Sequence, residues 1–162
     1  MRIVFSLFVC LLLFQNPAFG LEDADLVLVI KSESKVMLLK DGKPVREYRA
    51  AFGANPQGHK QREGDERTPE GRYVLDYKNR DSAFYKSIHI SYPNRWDKWC
   101  ARQAGVDPGG AIMIHGQKNG CGGLSRITQK FNWTDGCIAV SNAAMDEIWE
   151  AVRVGTPIEI KP

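Results

Sequence analysis

The sequence is poor in the features that usually announce a binding partner. Its 162 residues carry 22 Lys and Arg against 19 Asp and Glu, a formal net charge of +3. No basic run is interleaved with aromatics, so composition gives no footing for a nucleic-acid partner. Histidine and cysteine are scarce, three and four residues. No Cys-x-x-Cys, His-x-His or His-x-x-x-His pair occurs. A site drawn from Cys100, His115, Cys121 and Cys137 would match no compact zinc knuckle, and no metal is expected. Beyond the N-terminal segment no stretch is long and apolar enough to span a bilayer, so no stable membrane anchor is expected. Internal repeats are absent as well.

What is present begins at the N-terminus. Met1 and Arg2 precede an almost unbroken apolar run, Ile3 to Phe14, followed by QNPAFG. A positive start, an apolar stretch and small residues at Ala18 and Gly20 predict a secretory signal peptide over residues 1–20. An uncleaved anchor would need about 20 apolar residues, more than this run offers. Cleavage after Gly20 would leave residues 21–162, long enough for one domain with its own core. Export, with the periplasm as destination, permits disulfides. Cys100, Cys121 and Cys137 remain, and an odd count leaves at least one thiol free or paired between molecules.

From Ala24 the chain reads as a β meander. LVLVI and KVMLL are apolar runs separated by SES, and the Asp-Gly pair of KDGK predicts a tight hairpin into VREYRAAF. Residues 53–71, GANPQGHKQREGDERTPEG, are a loop by composition. A loop this long inside a compact domain is either a solvated excursion or a lid over a binding site. RYVLDY and KSIHISY read as two more strands, WDKWCARQAG as a short helix, and AIMI as a buried strand running into His115. Ser141 or Asn142 can cap a helix over AAMDEIWEAV, with Met145, Ile148, Trp149 and Val152 on one face and Gly155 as its stop. PIEI supplies a last strand. The expected fold is mainly β, a single-domain sandwich or barrel with a few peripheral helices.

Chemistry concentrates in NWTDGCIAVSN, Asn132 to Asn142. A cysteine nucleophile needs a base for its proton, donors for the anion formed on the substrate, and access. His115, at the end of an apolar strand and followed by Gly116, is the best candidate base. Gly136 lets backbone approach closely and take positive φ, so amides around Gly136 and Cys137 can point at an oxyanion. Thr134, Asp135 and Gly136 signal a tight polar turn, which argues against a plain core cysteine.

IMIHG followed by a loop and then WTDGCIAVSN resembles the signature of the L,D-transpeptidase catalytic domain, a His-Gly pair followed by a Ser/Thr-x-Gly-Cys element. FGANPQG, GDERTPEGRY, ISYPN and DPGGAIMIHG fall in the order of the murein L,D-transpeptidase branch with a Trp-Thr-x-Gly-Cys motif, so the resemblance runs from about Leu26 to the C-terminus. It implies Cys137 as nucleophile, His115 as general base, and Gly136 with the Cys137 amide at the oxyanion, supported by Thr134, Asp135 and Gly116. It also implies a peptidoglycan stem tetrapeptide as acyl donor, an amine or water as acceptor, acylation by carbapenems, and no cofactor. The commonest form of the motif has histidine where Asp135 stands and arginine where Ala139 stands. Substrate support must then come from elsewhere, with Arg67, Arg72 and Lys118 as candidates by charge and Tyr92, Trp133, Ser141 and Asn142 by position. At least some members of the branch cut rather than make a bond, releasing lipoprotein from diaminopimelate. If Cys137 must stay free, the resemblance leaves Cys100 and Cys121 as a disulfide, with an inactivating Cys121–Cys137 bridge as the competing pairing. Sortase-like transpeptidation and a noncatalytic wall-binding module are the rival readings.

Overall fold

The computed structural model describes residues 23–162, and the expected signal peptide lies outside them. Eight strands form one sheet in the order β3-β2-β1-β8-β4-β5-β6-β7. The meander comes first: β1 (Leu26–Ile30), β2 (Lys35–Lys40) and β3 (Lys43–Arg49) pair antiparallel in sequence. Asp41 and Gly42 turn β2 into β3 with φ of 50° and 73°, the left-handed pair of a hairpin turn. Strands β4 (Gly71–Ser82) and β5 (Tyr85–Ile90) form a second hairpin, β6 (Met113–His115) pairs with β5, and β7 (Ile138–Ala139) runs parallel to β6.

The last strand, β8 (Pro157–Lys161), lies in the middle of the sheet, parallel to β1 and antiparallel to β4. Proline is tolerated there because it occupies the first strand position. The sheet also curls towards closure. Just beyond β3, Ala51 exchanges both backbone hydrogen bonds with Ala139 of β7, each 2.8 Å, so the two edges of the sheet meet. Pairing the edges removes a template for aggregation.

Alternation places Val27 and Val29, Val36 and Leu38, Tyr73 and Leu75, and Ile158 and Ile160 on the inner face, where they join one core cluster. Helix α3 (Asn142–Ala151) covers this core with Met145, Ile148 and Trp149. Ser141 is its N-cap, accepting from the amide of Ala144, and the helix stops at Ala151 rather than at Gly155. Helix α1 (Arg95–Ala104), expected as a short helix over WDKWCARQAG, is closed at one end by a capping box of Asn94 and Asp97 and at the other by Gly105, φ 66°. A single turn, α2 (Ser125–Thr128), precedes the cysteine motif. The fold is mostly β with few helices, as expected.

Candidate active site

The parallel pairing of β6 and β7 sets the geometry. Ile114 stands opposite Ile138 and His115 opposite Ala139, so Cys137, one residue before β7, is brought alongside the end of β6. The Val140 amide donates to the His115 carbonyl at 2.9 Å and locks this register. His115 and Cys137 thereby line one cleft of about 340 Å³.

His115 is buried, 4% exposed. Its ring packs against Phe84, centroids 4.7 Å apart, and edge-on to Trp133 at 5.9 Å. Nδ1 lies 2.6 Å from the Gly116 carbonyl oxygen. A carbonyl only accepts, so Nδ1 carries the proton and Nε2 is left as the basic nitrogen. Burial lowers the His115 pKa from its ordinary value, and the bond to Gly116 offsets part of that.

Cys137 is half-buried, and its Sγ lies 3.6 Å from the Ala111 carbonyl oxygen. Ala111 holds a left-handed φ of 54°, a conformation that costs an alanine on the order of 1 kcal/mol. Burial raises the Cys137 pKa. The Met113 amide lowers it, Asp135 raises it further, and Lys60 lowers it.

The turn before the cysteine is built around Thr134. Its hydroxyl donates to the Cys137 carbonyl at 2.7 Å and accepts from the Gly136 amide at 3.2 Å. Gly136 has φ 129°, and a Cβ there would sit 2.6 Å from the Arg67 carbonyl oxygen. No other residue fits this position without displacing backbone.

The remaining wall comes from the β4–β5 hairpin: Asn79, Asp81, Ser82, Ala83, Phe84 and Ser87. Asn119 fixes it in place. Its side chain accepts from the Tyr85 amide and donates to the Ser82 carbonyl, and its backbone amide donates to the Ala83 carbonyl. Nothing in the sequence distinguishes this hairpin as a wall. Its strand β4 continues through Lys78–Ser82, a polar stretch that alternation alone does not extend.

Residues 24–160 match the family model of the L,D-transpeptidase catalytic domain. The chain belongs to this family. YafK of Escherichia coli (strain K12), provisionally named an L,D-transpeptidase, is 32% identical over 133 residues, 81% of this chain and 44% of that protein. The crystal structure of the helical cell shape determining protein Pgp2 from Campylobacter jejuni matches with a TM-score of 0.65 at 28% identity, covering 87% of this chain and 49% of that one. L,D-transpeptidase 1 of Mycobacterium tuberculosis, at a TM-score of 0.54 and 16% identity over 86% of this chain and 62% of that one, shares the fold. The chain spans about half the length of YafK and of Pgp2.

Within this L,D-transpeptidase domain the expected site residues divide sharply. Cys137, His115, Thr134, Asp135 and Trp133 line the cleft, and Gly116 and Gly136 adjoin it. The others do not line it. The Tyr92 hydroxyl donates to the Pro108 carbonyl and its ring is core. The Asn142 side chain accepts from the Gln117 amide, holding the loop after Gly116. Ser141 is spent as the α3 cap. Arg72 is paired with Glu159, Lys118 is exposed outside the cleft, and the Arg67 guanidinium lies beside Gly58. Gly136 also differs from expectation, since its amide is occupied by Thr134 and is not free for an oxyanion.

The loop over residues 53–71 does not cover the cleft, and although many of its residues are exposed, hydrogen bonds tie it to itself and to the body. No side chain from it lines the cleft. The Asp65 carboxylate accepts from Lys60 Nζ and from the amides of Gln61, Arg62 and Arg67. His59 accepts from the Glu70 amide and donates to Asp97, and Lys31 donates to Glu70, tying the loop to the body. Cys100, Cys121 and Cys137 are all free thiols, so neither expected disulfide is present. Cys100 lies on α1 and Cys121 in the loop before α2, elements that no cross-link joins. Among the described residues no three His, Cys, Asp or Glu side chains converge as a metal site, and no helix is long and apolar enough to cross a membrane.

Proposed function

We propose that the chain is an exported cysteine L,D-transpeptidase acting on peptidoglycan stem peptides in the periplasm. The observation that carries this reading is the pairing of a half-buried thiol with a buried imidazole whose Nδ1 proton is fixed, both lining one cleft. Family membership and the cell-shape role named for Pgp2 support the peptidoglycan substrate.

His115 Nε2 takes the Cys137 proton as sulfur attacks the carbonyl of the third stem residue, meso-diaminopimelate. The oxyanion is met by the amide of Cys137, since that of Gly136 is already bonded. Collapse breaks the peptide bond, His115 returns the proton to the leaving D-alanine amine, and a thioester remains on Cys137. An amine then attacks the thioester, His115 takes its proton, and the thiol is regenerated. Water in the amine's place gives hydrolysis by the same steps. No cofactor enters this sequence, and a carbapenem would be attacked by the same thiol.

Intact-mass analysis of the reduced protein with a disaccharide tetrapeptide tests the proposal. The expected result is an adduct lacking D-alanine, present in the parent protein, absent in Cys137→Ala, and formed about 10²- to 10⁴-fold more slowly in His115→Ala. Failure to form any adduct or product, from this donor or from lipoprotein-linked muropeptides, with binding retained, would make the chain a wall-binding module instead.

A further inference from the structure

The formal charges that line the cleft are of one sign, with Lys60 acting on Cys137 only from outside the lining. Of its lining side chains only Asp81 and Asp135 carry a formal charge, and both are exposed. They come from separate elements, the β4–β5 hairpin and the turn before Cys137. Neither takes part in an ion pair among the described residues. The cations expected to support an anionic donor lie elsewhere, Arg72 on Glu159, Arg67 beside Gly58 and Lys118 outside the cleft, and Lys60 is paired with Asp65. Ala139, where the commonest form of the motif carries arginine, is fully buried and bridged to Ala51.

This arrangement does nothing for the nucleophile. A negative charge at Asp135 opposes ionisation of Cys137, so it is of no use in activating the thiol. What it does suit is a positive group on the substrate.

We propose that Asp81 and Asp135 select donors by charge, favouring stem peptides whose third residue presents an ammonium not balanced by a neighbouring carboxylate. This rests on the reading of the cleft as a peptidoglycan acyl-transfer site. A diamino acid with its side-chain carboxylate amidated satisfies it, the free zwitterion satisfies it less well, and a donor with the amine acetylated is disfavoured. The terminal D-alanine carboxylate is common to all three and cancels in the comparison. Because both aspartates are exposed, each contact is worth about threefold in affinity, and the pair about tenfold. The preference weakens as salt screens it.

The experiment compares the three tetrapeptide donors in two ways, by calorimetric binding to Cys137→Ala and by kcat/KM for D-alanine release with the parent protein. The expected order is amidated, then free, then acetylated. It should flatten in Asp81→Asn and Asp135→Asn and in about 0.5 M salt, mainly through KM. The acetylated donor binding as well as the amidated one, or the order surviving in both Asn variants, would overturn the inference while leaving acyl transfer intact. Absence of any acyl adduct would overturn the transpeptidase reading, and the binding order to Cys137→Ala would still decide the charge preference. A chain that binds none of the three would lose both.

Discussion

His115 and Cys137 are both held neutral by the same cause. Burial lowers the pKa of the imidazole and raises that of the thiol, and Asp135 adds to the second effect. The resting pair is therefore thiol and imidazole, and the proton moves only as the sulfur attacks. The sign of the pH dependence follows. Below its folded pKa the imidazole is protonated and cannot act as base, so acylation should rise with pH through a midpoint below the ordinary 6.5 and then level off. Alkylation of Cys137 by iodoacetamide should be slow at pH 7, with a midpoint above 9.0, and faster by about two- to threefold in Asp135→Asn. Fast alkylation at neutral pH would mean a preformed thiolate and imidazolium. Trp133 and Tyr92 make the companion point. Both are aromatics near turns, and one lines the cleft while the other is core. Both are aromatic side chains among polar neighbours, and local sequence does not say which of them faces the cleft.

At the scale of elements, the loop of residues 53–71 acts as a buttress for the nucleophile turn. Gly53 bridges to Thr134, its amide donates to Thr68 Oγ1, and the Arg67 carbonyl abuts Gly136. Asp65 organises the loop. Burial alone would raise its pKa, but the hydrogen bonds from Lys60, Gln61, Arg62 and Arg67 outweigh that and hold it at about 2. Lys60 and Asp65 side chains are 3% and 9% exposed, so removing one strands the other. Asp65→Ala should cost about 3 kcal/mol in urea unfolding, and acylation should fall with it because the turn loses its support. In the parent, the stability that Asp65 contributes is fully present above the unfolded value of 3.8 and is lost as pH falls through about 2. Unchanged stability in Asp65→Ala would show that the loop is held by its other ties alone. Composition marked this segment as a loop correctly. Its internal ties were hidden because four donors to one carboxylate leave no apolar period to read.

For the whole molecule, the decisive feature is that the C-terminal strand is central. Ile158 and Ile160 of β8 are buried, and the strand joins the meander to the rest of the sheet. Ile160→Ala should therefore destabilise by about 3 kcal/mol, as a core truncation does, and removing residues 157–162 should abolish the cooperative transition. A cooperative transition in the truncated chain would mean that β1 and β4 can pair without β8. Short-range signals foretold the Asp-Gly hairpin, a helix within residues 96–105, a helix over residues 143–152 capped at Ser141 or Asn142, and the β character, because turns, caps and alternation are local physics. The motif and its resemblance likewise pointed to Cys137 and His115 before any fold was known. Only the tertiary structure put β8 between β1 and β4, joined the edges of the sheet at Ala51 and Ala139, and brought the β4–β5 hairpin against the cysteine turn. It alone sent Arg67, Arg72 and Lys118 away from the cleft and left Asp81 and Asp135 as its charges. Those outcomes depend on contacts between residues far apart in sequence, for which a single chain carries no local signature.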